Sequence, residues 1–258
     1  MPSIFYRKLG KGHPVVLIHG FCETHEIWNG FAEQLAGKFE VFAIDLPGFG
    51  ESAILPHSFS IDDVAQVMTA WIDQSDLRLP IVVGHSLGGY VALAMAKKSP
   101  EKLAGIGLFH STAYPDSEER KANRNKVITF VKAHGTDPFI DTFVPGLFFD
   151  KNHPAIQETY RIARKTREDA LITYARAMRD RPSSTDSLPL FHRPVLVLGG
   201  AEDPIISAAS TREHHHFFKD SEVHLLENVA HMGMFESPAE SLKIVVVFKL
   251  KTIAKSLQ

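Results

Sequence analysis

The stretch Gly84-His85-Ser86-Leu87-Gly88 has the residue types and spacing that nucleophilic catalysis requires. A serine hydroxyl is a weak nucleophile near neutral pH, so it needs a base to take its proton and an acid to orient that base. Glycines two residues to either side permit a sharp strand-to-helix turn, where a side chain would meet the neighbouring strand or helix. A short β-branched run at 81–83 precedes the motif and good helix formers at 90–96 follow it. Ser86 is therefore expected at the N-terminal end of a helix, whose dipole favours developing negative charge. Other glycine-rich turns do not fit. There is no Gly-x-x-x-x-Gly-Lys-Ser/Thr run for a phosphate loop, and no acidic residue about 20 positions beyond a Gly-x-Gly-x-x-Gly for a dinucleotide site.

The elements that must position this turn follow from periodicity. Short β-branched runs at 15–19, 41–45, 81–84, 103–109, 195–199 and 222–226, with a further one at 4–8, alternate with longer helical patterns. That alternation predicts an α/β fold, a mostly parallel central sheet flanked by helices. Ile61, Val64, Met68, Trp71 and Ile72 form one helical core stripe, preceded by Ser60 and followed by acidic Asp62 and Asp63 in the first turn. Leu242, Val246, Leu250, Ile253 and Leu257 form another near the end of the chain. The alternation breaks at 112–189, where charged helical segments are punctuated by Pro115, Pro138, Pro145, Pro154 and Pro182, each an expected helix boundary. Residues 1–111 and 190–258 thus form the expected core, and 112–189 an inserted helical cap.

With the order of motifs in place, the chain resembles the α/β-hydrolase superfamily, in its cap-bearing serine hydrolase branch of esterase-like and lactonase-like enzymes. Leu198-Gly199-Gly200-Ala201-Glu202-Asp203-Pro204 resembles the family's acid loop, and Asn228-Val229-Ala230-His231-Met232 its histidine loop. His19-Gly20-Phe21 resembles the oxyanion loop, and the run from Asp45 to Ser52 the loop of the cap-bearing branch. The resemblance implies Ser86 as nucleophile, His231 as base and Asp203 as the orienting acid, with Glu202 as its rival. It implies that the backbone N–H groups of Phe21 and Leu87 receive the oxyanion. Ser86 stands where dehalogenases and epoxide hydrolases carry Asp. Acyl transfer to water on a small ester, thioester or lactone is the expected reaction, without a cofactor or metal. A cofactor-free lyase or perhydrolase using the same triad and a non-catalytic small-ligand binder remain the alternatives.

The cap is expected to set specificity by roofing the site. Phe139, Phe143, Leu147 and Phe148, together with Cys22 and His110, are the pocket candidates; Phe130 and Phe149 add aromatic surface. Between 160 and 181, seven Arg/Lys stand against three Asp/Glu, an excess that suits either a solvated helix face or a substrate carboxylate. Among the histidines, His19 is expected to make a structural hydrogen bond and His85 to pack beside the turn. Consecutive His214, His215 and His216 point in different directions on a helix and cannot chelate one ion.

Composition excludes other classes. Twenty-eight Lys+Arg against 30 Asp+Glu give a net charge of −2, and no basic run offers the footprint of a nucleic-acid binder. The densest apolar run, 244–248, is far short of the roughly 20 residues that span a bilayer. The lone Cys22 can form no internal disulfide, and the first ten residues lack a signal-peptide core, so a cytoplasmic protein without a membrane span is expected.

Overall fold

A computed structural model describes residues 2–186 and 188–256. Seven strands form one sheet: β1 (Tyr6–Leu9), β2 (Pro14–Ile18), β3 (Glu40–Ile44), β4 (Ile81–His85), β5 (Gly105–Phe109), β6 (Val195–Gly200) and β7 (Ser221–Leu226). Their spatial order is β1-β3-β2-β4-β5-β6-β7, with β1 antiparallel to β3 and every other pair parallel. Every residue of β4 and β5 is buried, as expected where helices cover both faces of a parallel sheet. The mostly parallel central sheet flanked by helices expected from the sequence is the one found.

The helices are α1 (Asn29–Leu35), α2 (Ile61–Gln74), α3 (Leu87–Lys98), α4 (Glu118–His134), α5 (Asp137–Gly146), α6 (Ala155–Ala163), α7 (Glu168–Asp180), α8 (Ala208–Glu213), α9 (Gly233–Glu236) and α10 (Pro238–Ser256). Helix α2 begins with a reciprocal capping box between Ser60 and Asp63, a feature worth about 1 kcal/mol, and buries the apolar stripe read from its sequence. Leu257, the last member of the other stripe, lies outside the described residues. Pro138 sits in the first turn of α5 and Pro154 caps α6. Pro145 lies inside α5, where a boundary was expected, but the helix ends one residue later.

Chain direction makes the site. The chain passes from β2 outward to β3 and then returns to β4 on the other side of β2. The loops after β2 and β4 therefore diverge, and such a switch point opens a crevice at the carboxyl ends of the strands. Helices α4 to α7 intervene between β5 and β6 and pack over that end. Tyr174 of α7, fully buried, donates its hydroxyl to the Pro47 carbonyl at 3.0 Å and packs on Phe49 and Phe59. Arg161 and Lys165 pair with Glu26 from the core. Among the described residues, no helix is long and apolar enough to cross a membrane.

Candidate active site

Ser86 occupies the turn between β4 and α3 with φ 49° and ψ −110°, a left-handed conformation that costs a non-glycine residue about 1–3 kcal/mol. The surroundings force it. A Cβ on Gly84 would lie 2.2 Å from the Gly88 carbonyl, and one on Gly88 2.4 Å from the Ile18 carbonyl oxygen. The Ser86 N–H donates to the Phe109 carbonyl at 2.9 Å, and its own carbonyl accepts from Ser111 Oγ and the Gly89 N–H. With its backbone held on both sides, the serine stands at the start of α3. The Phe21 and Leu87 N–H groups, on the loop after β2 and in the first turn of α3, have no hydrogen-bond acceptor among the described residues.

Asp203 and His231 come from the loops after β6 and β7. His231 Nδ1 donates to Asp203 Oδ2 at 2.8 Å. Asp203 Oδ1 accepts the Ile205 and Ile206 N–H groups at 2.8 and 2.9 Å, and Oδ2 also accepts His110 Nδ1 at 3.1 Å. Burial pushes the Asp203 carboxyl up, but the imidazoles of His231 and His110 outweigh it and hold the group well below the usual carboxylate range. The neighbouring Glu202 is exposed. His110, at the end of β5 with φ 49°, is fully buried; burial pushes its pKa down to about 4, so it donates to Asp203 as a neutral ring. His110, Asp203 and His231 offer ligand atoms within 4.8 Å of one another. Both rings, however, aim an Nδ1–H at one carboxylate oxygen, which is the geometry of hydrogen bonds.

A second buried carboxylate–imidazole pair lies beside the first. Glu23 Oε2 accepts the Gly20 N–H at 2.5 Å and faces His85 Nδ1 at 2.9 Å, while His85 Nε2 is 2.9 Å from the His231 carbonyl oxygen. His19 behaves differently. Its Nε2 accepts the Leu46 N–H, so Nδ1 carries the proton and donates to the Gly20 carbonyl at 2.8 Å. The His231 N–H donates to the Leu147 carbonyl of the inserted helical region at 2.9 Å, and Glu236 accepts the N–H groups of Ala230, Met232 and Phe149.

Ser86 and His231 line one cavity of about 30 Å³, together with Glu23 and Met178. Its other walls, Phe21, Arg124, Phe143, Leu147 and Ile205, continue into a cleft of about 450 Å³ that also takes in Phe139 and Arg120. A separate cleft of about 390 Å³ near Ser60, Lys97 and Arg181 is lined by none of Ser86, Asp203 and His231.

This arrangement accompanies a clear family relationship. The α/β-hydrolase fold family matches residues 13–238. The chain belongs to that family. A dihydrolipoyllysine-residue acetyltransferase component of the acetoin cleaving system of Pseudomonas putida is 28% identical over 250 residues, which are 93% of this chain and 64% of that protein. The chain thus spans somewhat under two thirds of that relative's length. A pimeloyl-[acyl-carrier protein] methyl ester esterase of Chromobacterium violaceum is 39% identical over 107 residues, 41% of this chain and 40% of that one. Among solved structures, a thermophilic esterase from Thermogutta terrifontis with malate bound superposes with a TM-score of 0.92 at 29% identity, covering 97% of this chain and 94% of its own. An enol-lactonase from Burkholderia xenovorans LB400 shares the fold, with a TM-score of 0.88 at 19% identity, over 96% of this chain and 97% of its own.

Within this hydrolase-family fold, the candidates named from sequence separate into groups. Phe21, Phe143 and Leu147 line both cavities, and Phe139 lines the cleft. Phe148 is fully buried between His153 and Phe235 and reaches neither; Phe130 and Phe149 are exposed away from them. Cys22 is buried with φ 59°, outside both linings, and burial pushes its thiol far above the ordinary range despite a hydrogen bond with Thr166. The basic stretch at 160–181 is largely neutralised by Glu26, Glu158, Asp141, Asp169, Asp180 and Asp116.

Sequence reasoning missed the cation that does reach the cavity. Arg124 of α4 gives Nε to Asp116 at 3.1 Å and lies 6.0 Å over the Phe21 ring, while Arg181 Nη1 binds the other Asp116 oxygen at 2.8 Å. One carboxylate between two guanidinium groups leaves a local excess of positive charge. It also missed Glu23, because a carboxylate after Cys22 reads as ordinary loop polarity until the fold puts it against His85.

Proposed function

We propose that the protein is a serine-dependent hydrolase of carboxylic esters, thioesters or lactones that works through an acyl-enzyme beneath a cap formed by residues 112–189. The observation that carries this reading is the strained Ser86 sharing one cavity with an imidazole whose Nδ1 is committed to Asp203 at 2.8 Å. With Nδ1 protonated, Nε2 is the basic nitrogen of a neutral His231. Ser86 Oγ attacks the substrate carbonyl and passes its proton to His231, and Asp203 orients the ring and stabilises the imidazolium. The unpartnered Phe21 and Leu87 N–H groups receive the developing oxyanion. Collapse of the tetrahedral species breaks the bond to the leaving group, which takes the proton from His231. Water, deprotonated by His231, then attacks the acyl carbonyl; the bond to Ser86 Oγ breaks, His231 returns the proton to Oγ and the carboxylic acid leaves.

The esterase relatives support hydrolysis as the reaction. Phe21, Phe139 and Phe143 form an aromatic wall, with Phe139 and Phe143 stacked at 5.1 Å, suited to the apolar part of a small substrate. Arg124 and Arg120 add positive charge to the same cleft, which favours a substrate with an anionic end. An ester panel run on wild type and Ser86→Ala, with fluorophosphonate labelling, tests the proposal. Covalent labelling of Ser86 and loss of turnover in the variant are expected; folded wild-type protein that hydrolyses esters without labelling at Ser86 would overturn it.

A further inference from the structure

We propose that His85 is a buried imidazolium which, paired with the Glu23 carboxylate, fixes the main chain of His231 relative to the oxyanion loop and the serine turn. His85 has no solvent exposure, and each of its ring nitrogens stands 2.9 Å from an oxygen. The His231 carbonyl has no proton to give, so Nε2 must carry one. The other contact is to Glu23 Oε2, which already accepts the Gly20 N–H at 2.5 Å. An oxygen taking an N–H from the main chain is best served as a charged acceptor, which places the remaining proton on Nδ1.

The surroundings agree. The titratable and charged groups around the pair are His19 and Cys22 beside Glu23, Arg124 on the cavity that Glu23 lines, His110 and His231 against the His85 ring, and ionised Asp203 beyond them. Burial disfavours both charges, but each partner outweighs it in the other: the Glu23 carboxyl is held below its ordinary value and the His85 imidazole above its own. The cation then makes a charge-assisted bond to the carbonyl of His231, whose N–H is held on the opposite side by Leu147.

The pair joins Gly20 of the oxyanion loop, the residue preceding Ser86 and the backbone of His231. These are the parts whose relative placement a triad mechanism needs to within a fraction of an ångström. His85 is therefore a positioning residue, and the kinetic part of this inference rests on the serine-hydrolase reading above.

The protonation state is read directly in Ser86→Ala protein labelled with ¹⁵N-histidine, with His85 assigned by the signal absent from His85→Gln. Both ring nitrogens are expected to appear protonated from about pH 6 to about pH 8, across the range where an ordinary histidine titrates. One unprotonated ring nitrogen at neutral pH, as in a neutral pair with protonated Glu23, would overturn the assignment. Glu23→Gln keeps the shape and removes the counter-charge, so His85 should lose a proton at neutral pH. In the Ser86-containing enzyme kcat should fall between about 10- and 100-fold with little change in KM. An unchanged kcat refutes the positioning role. Full activity in Ser86→Ala would instead break the serine reading, and the nitrogen spectrum would still decide the charge of His85.

Discussion

Two carboxylate–imidazole pairs, Asp203–His231 and Glu23–His85, lie with their rings 4.9 Å apart, both almost wholly buried and both bonded through Nδ1 at 2.8–2.9 Å. What separates them is the second nitrogen. His85 Nε2 is tied to a main-chain carbonyl, whereas His231 Nε2 has no partner among the described residues and its ring borders the cavity that Ser86 lines. A buried carboxylate beside histidine is thus not enough to mark a base. A ring with both nitrogens held by acceptors can only keep its protons, and one with a single nitrogen committed and its ring on the cavity can exchange a proton with a reacting group.

The contrast can be broken most directly at the ring proposed to move protons. His231→Ala is expected to lower kcat by on the order of 10⁴-fold or more, measured on the best ester of the panel. Asp203→Asn should cost about 10³- to 10⁴-fold, because an amide no longer selects the tautomer with Nε2 free. Either loss should exceed that of Glu23→Gln, and the reverse order would erase the distinction between the pairs.

Acid sharpens the comparison through stability. The Asp203 pKa is depressed in the folded protein, so its favourable contribution is complete above the unfolded carboxylate value of about 3.9 and fades as pH falls toward the folded value. Urea unfolding should therefore find Asp203→Asn destabilised at pH 7, with a smaller gap to wild type below about pH 3.9.

Charge in the cleft offers a milder test. For Arg124→Gln, KM for a monoester of a dicarboxylic acid is expected to rise about 10-fold, with little change for the matching neutral diester. Equal effects on both would assign Arg124 to packing.

Lys249 supplies a control for what a carboxylate partner does. It is buried too, yet among the described residues its ammonium donates only to the His13 carbonyl at 2.6 Å, and it lies 4.1 Å over the Phe39 ring. Burial pushes its pKa down to about 7, against the opposing field of Glu40. A lysine depressed in this way contributes most above its unfolded pKa of about 10.4 and loses that contribution as pH falls through 7. Lys249→Met should accordingly gain more stability, relative to wild type, at pH 6 than at pH 10. The effect should be the smallest of those considered, because the residue lies outside both cavities that meet at Ser86.

Much of the fold was legible because its signals are local. Expected strand 81–84 became β4 with one residue added, whereas 103–109 shortened to Gly105–Phe109, and 4–8 shifted to Tyr6–Leu9 once pairing with β3 set its register. The acid loop is instructive. Glu202 and Asp203 are adjacent carboxylates, but only Asp203 meets His231, and the Ile205 and Ile206 amides that hold it follow within three residues. Arg124 was hidden because α4 carries many charges and nothing in their order distinguishes the one that faces inward. The basic run at 160–181 left a solvated face and a substrate carboxylate both open, because Glu158, Asp169 and Asp180 are local partners whereas Glu26, Asp141 and Asp116 are distant in the chain.

The turn at Ser86 was written in the sequence because a side chain at Gly84 is excluded by Gly88 only four residues on, and the alternation of elements that make a parallel sheet is likewise local, whereas the Ile18 carbonyl that excludes a side chain at Gly88 is brought there by the fold. Tertiary structure alone decided which charges stand together. Glu23 and His85 are 62 residues apart and His85 and His231 are 146, and no local pattern records such distances. Protonation follows from that placement, since the cost of burying an ion and the gain from its partner both depend on where the fold puts them.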